Sequence, residues 1–193
     1  MRVLRAADHR SMPWKNGGGT TTEIAVWPEG ATLDGFDWRV SMARVEEGGP
    51  FSVFAGVDRT LAVLDGNSIA LDIDGREPVQ LTEASAPLSF PADARTSARL
   101  VAGPITDLNV MTRRGRLRHS VERLAPAGPV EAAGGRSGWT MLFCARGRLA
   151  VRGGAGAELG PLDALLARGG EGPFAVEPSA PLLLFLIRIT PDD

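Results

Sequence analysis

Twenty-four glycines and fourteen prolines punctuate this 193-residue chain, and they are spread along it rather than pooled in one linker. A helix of ordinary length does not survive breakers at such short intervals, because glycine and proline each disfavour the helix interior. Short strands joined by tight turns do survive, and the pattern is that of an all-β sandwich or barrel. With 44% hydrophobic residues the chain has the means to build a core, so disorder is excluded. The length allows one large domain or two small ones.

Strands are expected at 2–6, 20–27, 36–45, 59–64, 68–74, 77–82, 87–90, 97–102 and 105–113. In 36–45, Phe36, Trp38, Val40 and Met42 share one face, and Asp37, Arg39, Ser41 and Ala43 share the other. Asp65-Gly66-Asn67 is a hairpin-type turn. The pattern then restarts. A strand at 116–124, a Pro/Gly/Ala-rich connection at 125–138, and strands at 139–145 and 149–152 around Gly147 repeat the strand–turn–strand of 61–73. Residues 159–166 parallel 81–88, and 182–189 parallel 106–111. Two similar β units in tandem follow, an N-terminal barrel over 1–115 and a C-terminal barrel over 116–193.

Tandem small β-barrels of this rhythm suggest a bicupin, a fold whose active members place metal ligands at fixed spacings. Setting the last glycine of the first cupin motif on Gly66 puts Ser52 and Phe54 near the histidine positions and Arg59 at the glutamate position. The second motif, anchored on Pro91, has Ser85, Asp93, Thr96 and Leu100 at its Gly, Gly, His and Asn positions. Only His9 and His119 exist in the whole chain, too few imidazoles for a catalytic cupin centre. No metal and no cofactor is therefore expected. A guanidinium in place of the glutamate would hold a carboxylate that a glutamate would repel; the alternative is that Arg59 pairs with Asp58 or Asp65.

Three further features bear on a site. Lys15 is the only lysine among 21 basic residues, and it opens the run Lys15-Asn16-Gly17-Gly18-Gly19-Thr20, whose backbone N–H groups are free of side-chain bulk and read either as an anion-binding nest or as a flexible surface loop. It is no Walker A loop, since no Gly-Lys-Ser/Thr opens a helix. In the strand 105–113, Asp107, Asn109, Met111 and Arg113 lie on one face and Leu108 and Val110 on the other, so one face sees water, a partner or a ligand. The matching strand of the second half reads Leu184, Phe185, Leu186, Ile187, apolar on both faces. The first barrel is thus expected to keep a polar interior and the second to be packed shut. Glu23 and Asp107 are the candidate acid–base pair if the protein is an enzyme. No nucleophile elbow, Cys–His pair or dinucleotide fingerprint is present.

A net charge of −2 gives no reason to expect nucleic acid or an anionic membrane as a partner. The single cysteine, Cys144, excludes an intrachain disulfide, no apolar run reaches about 18 residues, and a charged N-terminal segment precedes any signal-like core. The expected compartment is the cytoplasm.

Pro13-Trp14-Lys15-Asn16-Gly17-Gly18-Gly19-Thr20, Glu23-Ile24-Ala25, Phe36-Asp37-Trp38-Arg39-Val40-Ser41, Gly49-Pro50-Phe51-Ser52, Gly56-Val57-Asp58-Arg59, Leu64-Asp65-Gly66 and Asp107-Leu108-Asn109-Val110-Met111 occur in this order, and together they resemble the HutD/Ves family. The resemblance implies an RmlC-like bicupin and a role in moderating histidine utilisation, or in stress response for the Ves branch. It implies binding of a small carboxylate such as urocanate, formiminoglutamate or formylglutamate. On this reading the ligand-binding residues are Lys15, Asn16, Gly17, Gly18, Gly19, Thr20, Glu23, Arg59, Asp107, Asn109, Met111 and Arg113. A metal-free isomerase or hydrolase and an interaction module are the alternatives, and a homodimer is compatible with any of the three.

Overall fold

The strand pairing of the computed structural model, which describes residues 1–132, 134–153, 156–179 and 181–192, repeats itself within the chain. Nineteen strands are formed among the described residues, with one 3-10 turn at Ala6–Asp8, and every strand pair is antiparallel. In order they are β1 (Arg2–Leu4), β2 (Arg10–Pro13), β3 (Gly19–Trp27), β4 (Trp38–Val45), β5 (Gly49–Pro50), β6 (Val57–Gly66), β7 (Ser68–Ile73), β8 (Val79–Thr82), β9 (Leu88–Pro91), β10 (Thr96–Leu100) and β11 (Ile105–Arg113). There follow β12 (Leu117–Leu124), β13 (Val130–Ala132), β14 (Trp139–Arg146), β15 (Leu149–Arg152), β16 (Ala157–Leu159), β17 (Ala164–Arg168), β18 (Phe174–Pro178) and β19 (Leu183–Pro191).

The chain divides into two units. The first, Arg10–Arg116, holds a sheet of order β2-β3-β4-β11-β6-β9 and a sheet of order β5-β10-β7-β8. The second joins Met1–His9 to Leu117–Asp193 and holds sheets of order β1-β17-β14-β19-β12 and β13-β18-β15-β16. The sequence reading gives residues 1–9 to the first barrel. Strand β1 instead pairs with β17, Val3 opposite Leu165, and so completes the second unit.

The duplication holds at the centre of each sheet, although β2 and β3 have no counterpart beyond β12. In the first unit β11 lies between β4 and β6, and β7 lies between β10 and β8; in the second β19 lies between β12 and β14, and β15 between β18 and β16. Even the turn is repeated. Gly66 and Gly147 both have φ near +100° (100° and 91°), and each packs its backbone against the carbonyl of a proline, Pro104 or Pro181. A Cβ at either position would come within 2.6 or 2.5 Å of that oxygen, so only glycine fits.

Between the two sheets of the first unit lies a core of Ala43, Val45, Leu61, Val63, Ile69, Leu71, Ile73, Leu81, Phe90 and Ile105. This fixes which strand faces look inward. On β4 the inward set is Arg39, Ser41, Ala43 and Val45, so the apolar set Trp38, Val40 and Met42 points away from the barrel interior, although it too is buried. The second unit is filled by Leu142, Cys144, Leu149, Val151, Leu159, Leu165, Phe174, Leu182, Leu184 and Leu186. No helix of the described residues is long and apolar enough to cross a membrane.

Candidate functional site

Antiparallel register sorts the inward residues of the first unit into cross-strand rows, because directly opposed residues share a face. One row reads Arg59, Met111, Arg39 and Val26. The next reads Leu61, Asn109, Ser41 and Glu23, and the third Val63, Asp107, Ala43 and Thr21. Two arginines, two carboxylates, an asparagine and a serine are thereby gathered on one face of one sheet.

The two arginines are the unusual members. Arg39 is 4% exposed and Arg59 is 6% exposed. Arg39 Nε donates to Glu23 Oε2 at 2.8 Å and Nη1 reaches Ser41 Oγ at 3.5 Å, while its buried Nη2 has no acceptor. Arg59 is poorer still. Its Nη2 faces only the Met111 sulfur at 3.6 Å, and its buried Nε has no acceptor. The guanidinium carbon lies 5.2, 5.4 and 5.9 Å from the ring centroids of Phe51, Phe54 and Phe90, a cage that satisfies the charge by cation–π attraction and leaves N–H groups unspent. Burial, reinforced by the like charge of Arg39 and opposed by Asp107, pulls the Arg59 pKa down to about 10, so the group stays cationic at neutral pH. Neither Asp58 nor Asp65 is its partner; Asp58 is held by Arg114.

One strand row deeper, Asn109 Nδ2 donates to Asp107 Oδ1 at 2.6 Å. Asp107 is 1% exposed. Burial pushes its carboxyl up to about 7, against the pull of Arg59, the Asn109 bond and the Ala43 backbone N–H. Glu23 is committed to Arg39 and Asp107 to Asn109, so the two carboxylates are separately partnered rather than paired with each other. The arrangement can hold an anion: free guanidinium N–H groups from two sides of Met111, with a carboxyl that changes charge near neutrality behind them.

The glycine run is elsewhere. Lys15, Asn16 and Gly17 are exposed on the β2–β3 connection. Gly17 N–H donates to the Trp14 carbonyl, and Gly18 N–H to Asn16 Oδ1, so these donors close a turn instead of forming a nest. Gly19 is required for another reason: a Cβ there would collide with the Arg44 carbonyl oxygen and touch the Trp14 ring. Trp14 in turn packs on the core and its Nε1 donates to Thr21 Oγ1 at 2.7 Å. Thr20 is half-buried in β3, opposite Pro13 and Arg44. Along β3, Gly19 pairs with Val45 and Val26 with Arg39, so the turn and the Arg59 row lie about 20 Å apart at the usual strand rise. A single site containing both does not exist.

Arg113 is also not in the interior. Its guanidinium donates to the carbonyls of Ala55, Asp34 and Phe36 at 3.1, 3.1 and 3.2 Å and stacks on the Phe36 ring. The basic run after it is paired off, Arg114 to Asp58 and Asp93 and Arg116 to Asp37. Arg39, Ser41, Phe51, Phe54 and Phe90 join the site without having been named as ligand-binding from sequence, although the cupin spacing sets Phe54 near a histidine position. No local signal marks the first two, since a polar set alternating with Trp38 and Val40 reads as a solvated face.

Both histidines belong to the second unit, so no imidazole comes from the first. Among the described residues no group of three or more His, Cys, Asp or Glu is placed to hold a metal ion. Around Arg59 the donor set does not fit one, since guanidinium and phenyl groups stand where imidazoles would have to be. The second unit, read as packed shut, has a closed core but carries a surface cavity of about 450 Å³ lined in part by Arg5, Arg148, Arg152, Glu158, Asp163 and Glu177. Its charges are largely spoken for, Arg5 by Asp163 and Arg152 by Glu177, whereas the interior of the first unit leaves buried donors unpaired. The interior is the better candidate on that ground.

The family model described as HutD matches residues 6–184. A Pseudomonas putida relative, an uncharacterized 21.2 kDa protein in the hutC 3′ region, is 43% identical over 111 residues, 58% of this chain and 57% of that one. Protein Ves of Citrobacter koseri is 40% identical over 119 residues, 59% of this chain and 60% of its own. The matched stretch thus spans about three fifths of each curated relative. HutD from Pseudomonas fluorescens SBW25 superposes with a TM-score of 0.84 at 32% identity, covering 100% of this chain and 99% of that one. Oxalate decarboxylase from Lactobacillus farciminis, at 8% identity and a TM-score of 0.69 over 100% of this chain and 87% of that one, shares the fold alone. The fold is the all-β, two-unit cupin type expected from the strand rhythm.

Proposed function

The chain belongs to the HutD family, and on that premise we propose that it is a non-catalytic binding protein that takes up a small carboxylate inside its first unit and thereby moderates histidine utilisation. The observation that carries the reading is the pair of buried arginines flanking Met111, each with an N–H that meets no acceptor. A buried donor left unmade costs about 1–3 kcal/mol, more when charged, and a carboxylate with two acceptor oxygens would satisfy both. Opposed residues two strands apart have Cα atoms about 10 Å apart, a span two long side chains close around a small anion. The P. putida relative is described as lying in the hutC 3′ region, and the family resemblance points to urocanate, formiminoglutamate or formylglutamate as the acid. Glu23 fixes Arg39, and Asn109 with Asp107 offers the rest of the ligand a polar neighbour.

Thermal scans with a panel of millimolar acids test it. An acid that binds the native chain alone raises the midpoint, by about 2.7 kcal/mol of stabilisation at a hundredfold excess over Kd. The sensor reading fails if no acid of the histidine pathway shifts the midpoint, or if Arg59→Met still responds as the unaltered protein does.

A second reading has one observation in its favour. A carboxyl titrating near 7 among buried polar side chains suits a general acid–base, so a metal-free isomerase or hydrolase would use Asp107. Consumption of the bound acid, abolished by Asp107→Asn, distinguishes the enzyme from the sensor.

A further inference from the structure

Residues 51–56, between β5 and β6, contain no strand or helix, yet two of their side chains reach the least satisfied charge in the molecule. Ser52 and Val53 are exposed, while Phe51 and Phe54 turn in and lay their rings over the Arg59 guanidinium. Phe90, the third ring of the cage, sits on β9 and is fixed by the sheet. The cage therefore has one built-in wall and two walls borne on an irregular segment. Backbone bonds from Phe51 N–H to the Thr96 carbonyl and from Phe54 N–H to the Ala92 carbonyl, each 2.9 Å, tether that segment. It ends at Gly56, whose φ of +67° favours glycine and whose N–H and carbonyl are bonded to Asp93 Oδ2 and the Arg114 N–H.

Arg113 secures the far side. From the end of β11 its guanidinium ties the Ala55 carbonyl, within the segment, to the Asp34 and Phe36 carbonyls outside it. It also stacks on Phe36, whose ring meets Phe54 at 6.1 Å. A continuous set of contacts therefore runs from Arg113 through Phe36 and Phe54 to Arg59. Breaking the Arg113 bonds would loosen the segment at Ala55, while its other backbone tethers and Arg59 itself stay in place.

We propose that residues 51–56 are a cover over Arg59, that Phe51 and Phe54 set the size of the anion that reaches it, and that Arg113 is the positioning residue that keeps the cover closed. The inference rests on the binding reading for what the cover admits, but the cover itself is tested without any metabolite. A bulky acid must displace both rings to reach the guanidinium edge, whereas a small carboxylate needs only a partial opening. Arg113 thus belongs to the site at one remove, holding its lid and touching no ligand.

The experiment is modification of the full chain with phenylglyoxal, followed by peptide mass mapping, with exposed Arg152 as the internal reference. In the unaltered protein Arg59 reacts at least about 100-fold more slowly than Arg152, since reaction waits on local opening. Arg113→Gln accelerates modification at Arg59 by about tenfold or more, the change expected from losing carbonyl bonds to a charged donor, with the melting midpoint lowered by only a few degrees. Arg113→Lys, which keeps three donors, restores part of the protection. Phe54→Ala accelerates Arg59 while leaving the Arg113 bonds in place. If a folded Arg113→Gln protein protects Arg59 as before while Phe54→Ala does not, the latch is wrong. If Arg113→Gln fails to fold, Arg113→Lys decides the latch: protection of Arg59 equal to the unaltered protein's overturns it, and intermediate protection supports it. If Phe54→Ala leaves Arg59 as protected as before, the cover itself is wrong. Failure of every acid to bind would sink the sensor reading and leave these rates untouched.

Discussion

The two units of this chain spend the same strand pairs on opposite ends. Aligning Gly66 with Gly147 places Asp107 and Asn109 of β11 opposite Leu184 and Leu186 of β19 in the duplicated plan, and Arg59 of β6 opposite Thr140 of β14. All six are buried. In the second unit this interior is closed by leucines and Cys144, which packs as a small apolar group with burial pushing its thiol up to about 11. In the first it holds two guanidiniums and a carboxyl that would be better solvated by water. On the proposed reading, an interior that costs stability where its duplicate does not is a site kept polar for a ligand.

Moving one unit's chemistry into the other tests whether the two interiors differ in this way. The largest effect is expected for Leu184→Asp, which puts the charge of Asp107 into the second unit with neither Arg59 nor Asn109 to receive it. A loss of about 3–5 kcal/mol by denaturant titration is expected, as for a buried charge without a partner. A loss under 1 kcal/mol would mean that the second interior is not dry.

Making the first interior apolar like the second, by Arg59→Met, should stabilise the first unit by about 1–3 kcal/mol while abolishing carboxylate binding, because the caged cation is replaced by an apolar side chain of similar length. Destabilisation by a similar amount would show that the cation–π cage is structural.

Asp107 makes the next prediction. Its folded pKa of about 7 lies above the ordinary 3.8, so between these values the native state holds more protons than the unfolded chain. Stability contributed by this group is therefore present at low pH and falls as pH rises from about 4 to 7. Subtracting the profile of Asp107→Asn isolates the group from Asp93, Asp163 and Glu171, whose carboxyls are held below their ordinary values and act in the opposite sense at lower pH. A flat difference profile across that window would contradict the burial described here.

The smallest effect is expected at Lys15. Exposed on the β2–β3 turn, Lys15→Ala should change stability by no more than about 0.5 kcal/mol and leave binding intact. Gly19→Ala, by contrast, should be clearly destabilising through collision with Arg44 and Trp14. Loss of binding on Lys15→Ala would revive a site at the turn.

Much of the architecture could be read from turn chemistry, since Asp65-Gly66-Asn67 and the glycine at 147 mark the same hairpin in two places, and the polar face of 105–113 marks which unit has the unusual interior. The assignment of residues 1–9 could not be read, because a three-residue strand carries no sign of a partner as remote as β17. The glycine run misled for a related reason. Gly19 answers to Arg44 and Trp14 rather than to a ligand, and an approach of backbones across a sheet leaves no trace in the local sequence. Arg39 was hidden because a charge alternating with Trp38 and Val40 looks solvated, and only the orientation of β4 in the sheet shows that its polar side is the inside.

On the proposed function, the paired arginines of the first unit, and not the second unit's surface cavity, bind the carboxylate. Calorimetric titration of formylglutamate and urocanate into the unaltered protein, Arg59→Met and Arg148→Ala tests it most directly. Saturable binding that Arg59→Met abolishes and Arg148→Ala preserves is the expected result. Binding that survives Arg59→Met and is lost in Arg148→Ala would contradict the account.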